Sequence, residues 1–235
     1  MHSATFQKSI QLSDDTYSFY FKTQHPIRYE SGQFTELKLQ HNMPDNRGDS
    51  RWITLSSSPT EELITITTRL PNTSLSSFKN ALSRLQPGDT VNMSEPMGDF
   101  ILPLNARIPL VFVAFGIGCT PMKSMIQYLI DTNETRPITM FYALHSPEDA
   151  IFKDTFETYS RQFHVHVSQT GDSTKPTRRL TAQTIVGALS KSALSDAHIY
   201  ISGPEEVIAA LPMELAARGI PKHHILTDYF HGYAD

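Results

Sequence analysis

Cysteine is nearly missing from this chain. Cys119 is the only one in 235 residues, which excludes a disulfide framework, a zinc site built on thiolates and any cysteine-ligated iron–sulfur cluster. Excess positive charge is missing too. With 20 Lys plus Arg against 24 Asp plus Glu, the net charge of −4 gives no drive toward phosphate backbones or anionic lipid, so nucleic acid is not an expected partner. Long apolar runs are also absent. Ile108 to Phe115 falls far short of the ~20 residues that span a bilayer, and no transmembrane segment is expected. Gln, Ser and Asp occupy the opening stretch where a signal peptide needs an apolar core, which makes the cytoplasm the expected compartment. His164 and His166 share a strand face, but no third ligand follows at a recognisable spacing. The pair His223-His224 reads the same way, and no metal site is expected.

What the chain does have is two textures that meet near residue 105. From Thr5 to Leu102 the pattern is short and alternating: Tyr17, Phe19 and Phe21 share one strand face, as do Leu37 with Leu39 and Ile64 with Ile66. Turn residues separate these strands at Ser13-Asp14-Asp15, Ser31-Gly32, Asn46-Arg47-Gly48-Asp49 and Gln86-Pro87-Gly88-Asp89. The spacing suits a small antiparallel Greek-key β-barrel. Leu75, Phe78, Leu82 and Leu85 recur at helical spacing behind the hydroxyls of Ser74 to Ser77, which read as an N-terminal cap.

From Ile108 onward, apolar strands alternate with amphipathic helices. Pro109 to Phe115, Ile138 to Leu144, Phe163 to Val167 and His198 to Ser202 read as strands; Met122 to Ile130, Ala150 to Tyr159, Leu180 to Leu189 and Val207 to Ala217 read as helices. Four such alternations predict a parallel α/β nucleotide-binding domain. Pro212 is expected to bend or split the last helix. The resulting division is 1–104 for the barrel and 105–235 for the α/β domain with an aromatic C-terminal tail.

Three segments carry candidate chemistry. In Phe115-Gly116-Ile117-Gly118-Cys119-Thr120-Pro121-Met122, glycines between a buried strand and a helix admit a close ligand, and the helix start offers N–H groups to an anion such as a pyrophosphate. Such a turn also serves tight strand-to-helix packing alone. In Arg51-Trp52-Ile53-Thr54, a permanently charged fork suited to a diphosphate precedes a hydroxyl, although an ordinary strand with a surface arginine has the same composition. Tyr200-Ile201-Ser202-Gly203-Pro204 ends another parallel strand, on the edge where open α/β sheets place ligands. Three aromatics among the last residues, Tyr229, Phe230 and Tyr233, call for an apolar dock.

Taken in order, Gly32-Gln33-Phe34, Arg51-X-X-Thr54, Glu95-Pro96-Met97-Gly98-Asp99-Phe100, the Gly116 to Met122 turn, Ser202-Gly203-Pro204 and Phe230-X-Gly-Tyr233 resemble the ferredoxin–NADP reductase superfamily over nearly the whole chain. The resemblance implies an FAD-binding barrel, an NAD(P)H-binding α/β domain, and a hydride passed from a nicotinamide stacked on the flavin. It implies catalytic positions at Thr54 and Ser202. Arg51 would hold the FAD diphosphate with Ser74, Leu75, Ser76 and Ser77 at the helix start, Thr54 would lie near the hydride-accepting nitrogen, and Ile66, Thr67 and Thr68 would line the flavin. Gly116, Gly118, Cys119, Thr120 and Pro121 would meet the nucleotide, with Ser202, Gly203 and Pro204 near the nicotinamide. Phe230 or Tyr233 would cover the flavin.

The chain departs from the family pattern in three places. Ile53 stands where relatives carry a flavin-stacking aromatic, leaving aliphatic contact or Trp52 to serve; Ser202 replaces a cysteine; and Gln169 follows Ser168 where NADP-specific relatives show arginine. Lys175, Arg178 and Arg179 lie downstream as alternative charges. The expected function is an FAD-dependent NAD(P)H oxidoreductase, using NADH at least as well as NADPH. Because a single cysteine cannot hold a cluster, the electrons of the flavin are expected to leave to a separate ferredoxin, flavodoxin, haem protein or membrane partner, or to a small molecule. The alternative is a non-catalytic flavin-binding electron-transfer subunit of a larger complex.

Overall fold

Period-two alternation in the first hundred residues builds one antiparallel sheet, and the apolar strands after it build a parallel one. The computed structural model describes residues 1–42, 44–71, 75–160, 164–169 and 180–228, with 159–160, 164–169 and 191–192 described by backbone alone. The chain divides into two units, Met1–Leu102 with Lys123–Tyr128 and Pro103–Met122 with Leu129–Asp235.

The first unit contains strands β1 (His2–Gln11), β2 (Thr16–Thr23), β3 (Phe34–Lys38), β4 (Ser50–Thr54), β5 (Ile64–Arg69) and β6 (Thr90–Met93), with helix α1 (Ser77–Ser83) before β6. The strand order is β4-β3-β6-β1-β2-β5. The two outer strands meet: Leu55 just beyond β4 bridges to Ile66 of β5, and Ser56 N–H donates to the Thr65 carbonyl at 2.8 Å. That closure leaves no long open edge. A bulge between Phe6 and Lys8 in β1 adds the local twist that closure needs. Phe6, Phe19, Phe21, Leu37, Leu55, Ile66 and Met93 fill the interior. Of the α1 residues read at helical spacing, Phe78 and Leu82 are buried in this core and Leu75 and Leu85 pack partly against it. Ser76 is the N-cap, its hydroxyl accepting from Lys79 N–H at 3.3 Å.

The second unit contains β7 (Leu110–Phe115), the two ends of α2 (Thr120–Asp131), whose stretch Lys123–Tyr128 groups with the first unit, β8 (Ile138–Leu144), α3 (Lys153–Ser160), β9 (His164–Gln169), α4 (Ala182–Ala188), α5 (Lys191–Asp196), β10 (His198–Ser202), α6 (Glu205–Ala216) and β11 (Ile225–Asp228). Its five strands run in the order β11-β10-β7-β8-β9 and pair in parallel throughout. In chain order within the sheet this is 3-2-1-4-5, with β7 at the centre and the direction of winding reversing between β7 and β10. One face of the sheet presents Val111, Val113, Phe141, Ile199 and Ile201 to Ala182, Ile185, Leu211 and Leu215 of α4 and α6. On the other, Phe112 meets Tyr200 edge-on at 5.6 Å and Tyr142 meets Phe156 of α3 at 5.9 Å.

Three features differ from the sequence reading, the first being helix α5, where no helix is expected. A fifth strand, β11, adds to the sheet beyond β10. Helix α6 is not split at Pro212 but continues to Ala216; the missing N–H forfeits an interior bond, and the buried Ile208, Leu211 and Leu215 keep the helix together across it. No described helix is long and apolar enough to cross a membrane.

Candidate active site

In the first unit, Arg51 sits on β4 opposite Leu37 of β3. Its Nη1 donates to the carbonyls of Arg47 (3.0 Å), Gly48 (3.2 Å) and Ser50 (2.6 Å), and its Nη2 to the Asp45 carboxylate at 3.2 and 3.4 Å. The guanidinium also lies 5.1 Å from the Phe78 ring centroid. Asp45 collects more donors: Arg47 N–H at 3.0 Å and Ser77 N–H at 3.1 Å, while its own N–H donates to Ser77 Oγ at 2.8 Å. Partial desolvation raises the Asp45 pKa, but these donors and the Arg51 charge outweigh it and bring the group down to about 2. The loop before β4 and the start of α1 are thereby gathered around one guanidinium.

The remaining barrel residues read from the sequence fall into distinct environments. Ile53 and Ile66 are buried in the core cluster. Trp52 is half exposed and stacks on Phe34 at 5.3 Å. Thr54, Thr67 and Thr68 are buried; the Thr67 hydroxyl is shared with Ser18 (2.7 Å) and Ser56 (2.8 Å). Ser76 and Ser77 open α1 beside Leu75. Ser74 lies outside the described residues.

In the second unit the turns after β7 and β10 interlock. A Cβ on Gly118 would lie 2.4 Å from the Ser202 carbonyl oxygen and 2.8 Å from Gly203 N, and a Cβ on Gly203 would lie 2.7 Å from Phe115 Cβ. The Gly118 side of the turn is therefore packed against protein backbone. Gly116 differs: its φ of 53° is left-handed, a conformation that glycine adopts without strain. Gly116 to Cys119 form a 3-10 turn leading into α2, with Thr120 buried and Pro121 in the first helical turn, where its missing N–H costs nothing. Cys119 is fully buried and its Sγ accepts from Tyr142 OH at 3.2 Å, which marks it as a packing residue.

The helix starts differ in charge. The first turn of α2 carries no acidic residue, whereas that of α6, N-capped by Pro204, carries Glu205 and Glu206. An anion at the crossing point is thus favoured at α2 and disfavoured at α6. Ser202 is buried at the end of β10, and its hydroxyl donates to Asp228 Oδ2 at 3.3 Å. Asp228, directly opposite in the β10–β11 register, is a partner of the candidate residue Ser202 that sequence reasoning does not single out. The signal available was a lone acid at the close of a short Ile-Leu-Thr run. Phe230, Tyr233, Lys175, Arg178 and Arg179 lie outside the described residues, and the side chain of Gln169 is not described.

The fold has counterparts among known proteins. A family model described as "Oxidoreductase NAD-binding domain" matches residues 112–212. The glycine betaine monooxygenase reductase subunit of Chromohalobacter salexigens is 27% identical, over 97% of this chain and 64% of its own length. Among solved structures, the flavohem-like FAD/NAD-binding domain of nitric oxide dioxygenase from Vibrio cholerae O1 biovar El Tor has a TM-score of 0.79 at 20% identity, covering 97% of this chain and 98% of that one. The ferredoxin-NADP+ reductase of Plasmodium falciparum has a TM-score of 0.80 at 16% identity, covering 97% and 95%. The chain spans about three fifths of the length of the curated relatives it matches, the first three at 58%, 59% and 64%.

Proposed function

We propose, taking as premise that this chain is a ferredoxin–NADP reductase-like protein, that it is a flavin-dependent NAD(P)H oxidoreductase handing electrons to a separate acceptor. When bound, the nicotinamide nucleotide supplies a hydride and FAD accepts it and gives up electrons. The observation that carries the reading is the parallel sheet whose winding reverses between β7 and β10, with the turn that bears Gly116 leading into the acid-free start of α2. Open α/β sheets take dinucleotides at that kind of switch point.

The donor chemistry of each unit fits the group assigned to it. Arg51, Ser76 and the Ser77 N–H offer one fixed cation with hydroxyl and amide donors, the set a diphosphate binds. The buried Thr54, at the end of β4, is assigned to the flavin. In the second unit Gly116 and the first turn of α2 take the nucleotide pyrophosphate, and Glu205 and Glu206 keep it from α6. Ser202, its hydroxyl held by Asp228, is the polar group assigned to the nicotinamide. These residues bind and orient; positioning is their catalytic contribution.

One cysteine cannot ligate an iron–sulfur cluster, so the acceptor is assigned to a group outside these 235 residues, carried by protein or supplied as a small molecule. The relative named a monooxygenase reductase subunit supports a protein acceptor. The test is to purify the chain, identify the released cofactor by mass and assay NAD(P)H-dependent reduction of a soluble dye. FAD with turnover is expected. FAD without turnover would make the chain a non-catalytic flavin-binding subunit, and FMN alone would remove the diphosphate assignment.

A further inference from the structure

The guanidinium assigned above to a diphosphate already holds an anion of the chain's own. Asp45 accepts from Arg51 Nη2 at 3.2 and 3.4 Å and from Ser77 N–H at 3.1 Å, so one carboxylate engages both the cation and an amide of the proposed cofactor site. We propose that Asp45 is an intramolecular competitor for FAD, a gate that occupies Arg51 and must give way when the diphosphate arrives. The inference rests on the flavin reading of the preceding subsection.

Two observations separate competition from simple orientation of Arg51. First, Arg51 is fixed without Asp45: Nη1 is bound to the carbonyls of Arg47, Gly48 and Ser50, and the guanidinium lies over the Phe78 ring. The Ser50 carbonyl and the Phe78 ring lie outside the turn that the carboxylate braces through Arg47 N–H, so removing the charge leaves those two anchors in place. Second, with Nη1 bound to three carbonyls, Asp45 engages Nη2 and the Ser77 amide, and a carboxylate and a phosphate oxygen cannot both accept these same donors at full strength. The carboxylate belongs to the β3–β4 connection, in the turn where Gly48 N–H donates to the Asp45 carbonyl at 2.9 Å, so a side-chain rotation releases it without unpairing β3 from β4. With its pKa near 2, Asp45 stays ionised across the neutral range, and the competition is constant there.

The experiment uses apoprotein prepared from the holoprotein, with Asp45→Asn, Asp45→Ser and Arg51→Ala alongside wild type. FAD binding is followed by quenching of flavin fluorescence, at equilibrium and by stopped flow, and circular dichroism verifies that each variant is folded. Loss of one charge-assisted contact predicts FAD affinity about tenfold tighter in Asp45→Asn. The gain should lie mainly in a faster association rate, since a negative charge has left the path of an anion. Asp45→Ser, which keeps a short polar side chain but no charge, should behave alike. If Arg51→Ala weakens FAD binding while both Asp45 variants leave it unchanged or weaker, the inference is overturned and the flavin reading stands. Absence of saturable FAD binding in wild type and every variant would overturn the flavin reading and the inference with it.

Discussion

Replacing Gly118 by alanine tests whether that glycine serves a ligand or the protein's own packing. The added Cβ would stand 2.4 Å from the Ser202 carbonyl oxygen, 2.6 Å from its carbon and 2.8 Å from Gly203 N. All three are backbone atoms, so no side-chain rotation relieves them. Restoring ordinary van der Waals separation requires the β10–α6 turn to move by about 1 Å. That movement strains the β10–β11 register in which Ser202 meets Asp228. Overpacking of this kind costs about 1–3 kcal/mol, which for a unit of this size lowers Tm by about 3–10 °C. The control is Gly187→Ala in α4, where nothing lies within 4 Å of the added Cβ and the change should stabilise by about 0.4–1 kcal/mol. Thermal unfolding followed by circular dichroism reads both. A Gly118→Ala protein as stable as wild type that has lost only nucleotide affinity would refute the packing argument and return this glycine to the ligand.

Arg51→Ala should weaken FAD retention by about 1.5–3 kcal/mol, the contribution of a charge-assisted hydrogen bond, measured by titration of the apoprotein. His198, His223 and His224 cluster with ring centroids 5.1 and 4.4 Å apart. Burial first, and then the neighbouring imidazoles, lowers His198 and His224 below the ordinary histidine value of 6.5, with Asp196 partly opposing this at His224. The unfolded chain then binds more protons, so this contribution is fully present above pH 6.5 and is lost as pH falls through the depressed values. The urea midpoint should drop from pH 7.5 to 5.5, and less so in a His198→Asn His224→Asn variant. NADH should be used at least as well as NADPH, and Gln169→Arg should shift preference toward NADPH, read as kcat/KM for both nucleotides.

The architecture was legible where local pattern and burial coincide. Strands β8 and β10 fall on Ile138 to Leu144 and His198 to Ser202 as read, because a parallel strand covered on both faces is a continuous apolar run with polar or Pro/Gly punctuation. Strand β11 was not legible: four residues, Ile225 to Asp228, only the last of them buried, have no periodicity to show. Their strand conformation comes from pairing with β10. The same limit applies to the site. Arg51 and Ser202 announce themselves by type and position, but Asp228 becomes a partner of Ser202 only through a parallel register, and Asp45 reaches Arg51 only through the fold of the β3–β4 loop. The sequence alone reads Gly118 as room for a nucleotide, because a strand-turn-helix motif contains no information about the Ser202 backbone that arrives from a distant strand.

The most direct measurement of the central claim is anaerobic stopped-flow mixing of the purified holoprotein with NADH and, separately, NADPH while the flavin absorbance is followed. The account predicts that at least one nucleotide bleaches the flavin in a saturable, single-turnover reaction, slowed in a Ser202→Ala variant that retains its full complement of FAD. A flavin that stays oxidised at saturating concentrations of both nucleotides would contradict it.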